Sequence, residues 1–192
     1  MPVAGPAPPG PNAACTASEP AARPAGLVHV VSDSVADLHP NCVLIDSILR
    51  DAGLPGRVRI LGEAAPTAVA AADQLGVEVA AIVNSLIFAT AEHAPLLVLT
   101  SGAHRVDTAK VAALVGTAKL SRATAGFVRD ATGQSIGGVA PIGHPRPIRT
   151  LLDTALAEFP EIWAAGGIPH AVFPISYPDL LALTSAQPAT VA

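Results

Sequence analysis

The chain has 192 residues, 51% hydrophobic, 14% charged and 3% aromatic, with a net charge of −4. That is enough for one ordinary domain with a core that needs no staples. The acidic balance and scarce aromatics exclude a general nucleic-acid binder that stacks bases along a single strand.

Residues 1–26 open "MPVAGPAPPGPNAAC", rich in Pro, Ala and Gly and without apolar periodicity. Such a segment buries too little surface to offset ordering, which predicts a disordered tail ahead of a domain over 27–192. No positive n-region with an unbroken apolar h-region is visible, so a cytoplasmic protein is expected. The longest charge-free stretch suited to a single element, Val79 to Ala91, contains Asn84 and Ser85. It falls short of the roughly twenty apolar residues of a spanning helix. Cys15 and Cys42 are the two cysteines; their lack of pattern fits a reducing compartment and inert thiols.

From there, helical and extended patterns alternate. In "NCVLIDSILRDAG", Leu44, Ile45, Ile48, Leu49 and Ala52 share a helical face, with Asn41 as cap and Gly53 as stop. "RVRIL" reads as a short strand, and "TAVAAADQLG" as a helix capped by Thr67 and ended by Gly76. "SLIFAT" and "PLLVLTS", four residues apart, predict a hairpin. Asp107 caps a helix in "TAKVAALVG", and "SRATAGFVRDATG" predicts another, closed by Gly133. After a glycine-proline loop come "IRTLLDTAL", "EIWAAGG", the apolar run "PHAVFPIS" and a last helix, "YPDLLALT". The expected fold class is a mixed α/β domain with partly antiparallel pairing.

Charge is uneven. Between His104 and Arg149 lie seven basic and two acidic residues, a local charge of +5 against −9 for the remainder. The sector reads either as a solvated face or as a patch that holds a polyanion.

Several familiar sites are missing. Neither a phosphate-binding G-x-x-x-x-G-K-[ST] loop nor a dinucleotide fingerprint occurs. His29, His39, His93, His104, His144 and His170 never fall at metal-ligand spacing, so no metal or cofactor is expected. Gly133-Gln134-Ser135-Ile136-Gly137 matches the G-x-S-x-G elbow of serine hydrolases, with Asp153 and His170 following in order. A helix-like segment precedes Ser135 and prolines follow it, which is the wrong context for an elbow.

The loop "SIGGVAPIGHPRP", residues 135–147, alternates Gly137, Gly138 and Gly143 with Pro141, Pro145 and Pro147. Closely spaced glycines present bare N–H groups to an anion or an ester carbonyl, and prolines hold the shape. A plain structural turn uses the same residues.

The stretches "SLIF", "LLVLTSGAHRVD", "IGGVAPIGHPRPI" and "PHAVFPIS", in this order, resemble the YbaK-like family of aminoacyl-tRNA deacylases. These are free-standing relatives of the editing domain in bacterial prolyl-tRNA synthetases. The resemblance runs from about Asn41 to Thr184, and its most specific part is G-x-x-P-x-G, Gly138 to Gly143. It implies a strongly curved, barrel-like mixed sheet flanked by helices. It also implies hydrolysis, without metal or cofactor, of the ester joining a wrong small amino acid to a tRNA of the prolyl type. The implied partners are the aminoacylated acceptor end of tRNA and, further, an aminoacyl-tRNA synthetase.

On this resemblance Asn84 and Gly138 stand at the catalytic positions; His144, directly after the loop, and His104 are the candidates for proton transfer because imidazole titrates near neutrality. Ser85, Ser101, Gly102, His104, Gly137, Pro141 and Gly143 stand around the substrate, and Arg105, Arg146 and Arg149 of the basic sector suit the phosphates of the tRNA. One departure is marked: the family usually has lysine where this chain has Asn84, which offers a hydrogen bond but no charge. The departure opens the alternative of a non-catalytic module that binds tRNA ends or an aminoacyl group.

Overall fold

The computed structural model describes Met1, Gly5 and residues 39–192. The expectation of a disordered tail, with Cys15 and His29, lies outside the described residues.

Helix α1 (Pro40–Asp51) begins with proline at its first position, where no N–H is needed. Its cap is His39, whose Nδ1 accepts the Asn41 N–H, not the expected Asn41. The Asn41 side chain instead reaches across to the Gly167 carbonyl at 3.1 Å. Cys42, Ile45 and Leu49 are buried on one face, while Leu44 stays exposed. Burial pushes the Cys42 thiol up to about 11, so it is inert as expected.

β1 is only Arg59–Ile60. Helix α2 (Ala68–Leu75) has the expected cap, Thr67 Oγ1 accepting from Ala70 N–H, and the expected left-handed Gly76 at its end. The hairpin forms from β2 (Ile82–Thr90) and β3 (Pro95–Ser101), and Asp107 caps α3 (Thr108–Val115). The segment read as one helix divides into β4 (Leu120–Arg122) and α4 (Ala125–Thr132), with Thr124 as cap and Gly133 as stop. Thr124 ends the extended run because its hydroxyl satisfies the Phe127 N–H at the helix start. Then follow β5 (Arg149–Asp153), β6 (Ile162–Ala165), β7 (Ala171–Ile175), α5 (Tyr177–Thr184) and β8 (Gln187–Ala189).

The strand order is β1-β7-β6-β2-β3-β5-β8, with β4 also paired to β2. β1–β7, β6–β7, β2–β3 and β2–β4 are antiparallel; β2–β6, β3–β5 and β5–β8 are parallel. The domain is thus the mixed α/β class that the sequence predicts.

Both faces of the sheet are covered, and β2 shows how. Val83 and Ile87 point into a core shared with Leu97, Leu99, α1, α4 and α5. Ile82 packs with α2, Trp163 and Val172, whereas Phe88 packs with α3, Leu96, Val98 and Leu151. This period-2 division follows from successive side chains leaving a strand on opposite faces. No described helix is long and apolar enough to cross a membrane.

Leu99 is fully buried in the larger core. Leu99→Ala is expected to cost about 2–5 kcal/mol, the usual range for a buried leucine deletion. Urea denaturation at an unchanged m-value is the check.

Candidate functional site

The site is built on the second edge of β2. Gly102 N–H donates to the Ile82 carbonyl at 2.8 Å, and Thr90 N–H to the Ala94 carbonyl at 2.9 Å. Main-chain groups alternate between the two edges of a strand. Even-numbered residues of β2 therefore bond β3, and odd-numbered ones face away from it. Two strands divide that far edge. β6 pairs as far as Val83 with Ala164, and β4 joins only from Phe88 with Arg122.

Between them the sheet has a gap, and Ser85 sits in it. Its N–H and carbonyl face the far edge, where no described strand pairs with it. Its hydroxyl is buried and has no hydrogen-bond partner. Burying polar groups unpaired costs about 1–3 kcal/mol each, so such groups mark a place that receives something polar.

A cavity of about 410 Å³ opens at this gap. One wall is Val83 to Ile87, including Asn84; another is Ala65 to Thr67 ahead of α2; the glycine loop adds Gly137 and Val139, and Pro169 faces them. Arg122 is the charged residue among those lining the cavity. It has no carboxylate partner among the described residues.

The glycine loop differs from the expectation in one respect. Gly138 N–H is donated to the Ser135 carbonyl at 3.0 Å and is not free. The glycine is needed for another reason. A Cβ there would meet the Ile168 backbone and lie 2.7 Å from Pro169 N. The flanking N–H groups of Gly137 and Val139, both on the cavity wall, find no acceptor among the described residues. Gly137 takes φ +90°, a conformation suited to glycine.

Other expected site residues lie elsewhere. His144 does not line the cavity; its Nε2 binds the Ala140 carbonyl at 2.9 Å, and burial pushes its pKa down. It braces the loop as a neutral ring. Gly143 (φ +79°) lets the loop pack on α1, because a Cβ would lie 2.7 Å from Ile45 Cδ1. Pro141 is buried away from the cavity. Ser101 donates its hydroxyl to the Ala80 carbonyl, and Gly102 leaves room for the Val79 carbonyl and Ala68. Arg149 donates to the Val115 carbonyl at 2.8 Å. Arg146 lines a separate groove with Phe127 and Asp130, and Arg105 is exposed. The structure thus gathers Asn84, Ser85 and Gly137 at one cavity and leaves the other expected residues outside it.

His104 is held by Asp153, Nδ1 to Oδ2 at 2.7 Å. Asp153 is fully buried and also accepts from Ser101 N–H and the Thr100 hydroxyl, both at 3.2 Å. Burial, and then the Asp153 charge, raise the Tyr177 pKa. These contacts dispose of the serine-hydrolase reading. Asp153 serves His104 and not His170, and Ser135 follows helix α4 where an elbow requires a strand.

Arg122 escaped the sequence reading. It counted only as one of seven basic residues, and nothing local marks the strand β4 that carries it to the cavity.

A family model, the aminoacyl-tRNA editing domain, matches residues 62–183. The chain belongs to this family. A crystal structure of a candidate trans-editing enzyme for prolyl-tRNA synthetase is 42% identical, with TM-score 0.74, covering 79% of this chain and 96% of that one. A scaffold from computational epitope backbone grafting is 39% identical with TM-score 0.74, covering 79% and 97%. The hypothetical protein APE2540 is 28% identical with TM-score 0.72, covering 77% and 98%. The editing-domain match includes the β2 gap, Arg122 and the glycine loop.

Two outcomes follow. Gly138→Ala forces backbone apart and is expected to destabilise by about 1–3 kcal/mol, as overpacking does; the melting temperature reads this. The second concerns pH. His144 is harder to protonate folded than unfolded, so its contribution is complete above its ordinary value of 6.5 and is lost as pH falls below it. His144→Asn should flatten that part of the stability–pH curve in denaturant titrations.

Proposed function

We propose that the protein is a trans-acting deacylase that hydrolyses the ester of tRNA mischarged with a small amino acid, a prolyl-type tRNA being the favoured substrate. Membership of the editing-domain family supports the substrate class. The single observation that carries the reading is the cavity wall, where unpaired main-chain groups adjoin one unpaired cation.

An ester carbonyl attacked by water gathers negative charge on its oxygen. Fixed N–H donors in a site shielded from water stabilise that charge at no cost in reorganisation. The Gly137 and Val139 amides are suitably placed on the wall to serve. No imidazole or carboxylate lines the cavity among the described residues. The wall therefore favours electrostatic stabilisation and positioning over a side-chain base. Arg122 can pair with a phosphate of the acceptor end, and Asn84 offers a neutral hydrogen bond where relatives usually place lysine. The apolar part of the wall, Val83, Ile87 and Ala171, offers a nonpolar seat suited to a small aliphatic side chain.

Incubation with a panel of mischarged tRNAs tests the proposal: loss of the ester on at least one small amino acid is expected. No hydrolysis above background on any of them would leave the non-catalytic binding module. Asn84→Lys separates an attenuated enzyme from a complete one, since a large gain in rate marks attenuation. Arg122→Ala is expected to lower kcat/KM by roughly tenfold or more, the size of one hydrogen bond to a charged group. It should also reduce the salt slope of kcat/KM by about one.

A further inference from the structure

The gap in the far edge of β2 is short: between Val83 and Phe88 only Ser85 and Ile87 turn their main chain outward, and Ile87 adjoins the first β4 pair. β6 stops pairing at Val83, β4 begins at Phe88, and of the main-chain groups between, both those of Ser85 face outward. In an antiparallel hydrogen-bonded pair, one residue gives its N–H and receives with its carbonyl on a single opposite residue. An aminoacyl ester carries the same two functions, an α-ammonium and a carbonyl flanking one α-carbon. We propose that the aminoacyl group binds as a one-residue strand in this gap: its α-ammonium donates to the Ser85 carbonyl and its ester carbonyl accepts from the Ser85 N–H with one lone pair, leaving the other to the Gly137 or Val139 amide. The inference rests on the deacylase reading for the identity of the ligand.

Three features support this pairing. The main chain of Ser85 has no strand partner on that edge, its hydroxyl is buried without a partner, and the cavity lies beside both. The arrangement also fixes where the substrate side chain goes. Residues directly opposite in an antiparallel pair project their side chains to the same face. The amino acid side chain therefore follows that of Ser85, toward the face of Val83 and Ile87, where Val128 and Val139 complete an apolar wall. Peptide recognition at exposed sheet edges works the same way, with main-chain bonds for affinity and side-chain pockets for selection. Here β6 and β4 cap the edge at both ends, so a longer extended segment has little edge to pair with.

The pairing requires an α-nitrogen that can donate. It is tested with two hydrolysis-resistant ligands: adenosine carrying alanine through a 3′-amide, and adenosine carrying propionate through the same linkage. The readouts are affinity and the hydrogen exchange of the Ser85 amide, followed by NMR on the full chain. The alanyl compound is expected to slow Ser85 exchange at least tenfold. The propionyl compound, lacking the ammonium, should bind roughly tenfold or more weakly, the cost of one charged hydrogen bond. Unchanged Ser85 exchange with the alanyl compound bound, equal affinity for both compounds, or no binding of the alanyl compound would each overturn the proposal. Selective Ser85 protection in a protein that hydrolyses no mischarged tRNA would uphold the pairing while removing the deacylase reading.

Discussion

The whole arrangement depends on how the outer edge of β2 is shared. A strand in the middle of a sheet normally has every main-chain group satisfied, because an unpaired one costs free energy comparable to a lost hydrogen bond. β2 satisfies its inner edge completely through a seven-residue register with β3. On its outer edge β6 arrives parallel and β4 antiparallel, and the two ladders do not meet. The helices and loops then close over the break without filling it. The fold therefore keeps an unsatisfied segment inside a covered sheet, and the surrounding core must hold it open.

Asp153 does much of that holding on the inner side. A fully buried carboxylate is tolerated only when its oxygens accept several hydrogen bonds. This one takes them from the Ser101 main chain, the Thr100 hydroxyl, the His104 ring and, at 3.3 Å, the Ala155 N–H. The ends of β3 and β5 are thereby tied together next to the pairing of Thr100 with Asn84. Ser101 and His104, which the family resemblance brought forward around the substrate, contribute to this junction, whereas Gly102 packs on Val79 and Ala68.

Legibility in the sequence followed the range of the physics. Helices with a capping side chain and a glycine stop, such as Thr67 to Gly76, are local in origin and could be read directly. So could the hairpin, whose two runs are separated by a short turn. β8 could not, because Gln187–Ala189 has no strand composition and exists through its pairing with β5. The same holds for β4, three residues extended because β2 offers them an edge. At the site, Asn84, Ser85 and Gly137 were accessible through motif resemblance. The gap itself is a relation among three strands far apart in the chain, and no window of residues carries it. His144 shows the converse: proximity in sequence to the glycine loop suggested chemistry, whereas the fold spends the ring on a carbonyl four residues back.

Gly138 against Ile168 and Pro169 has one last consequence. Two walls of the cavity touch through bare main chain, with no side chain between them to swing aside. Such a seam is a hard stop against closure: the two walls cannot approach further, so the aperture keeps a minimum width on that flank. Change of the cavity's volume by substitution would then fall on its aliphatic lining, Val83 and Ile87 of β2 and Val128 of α4.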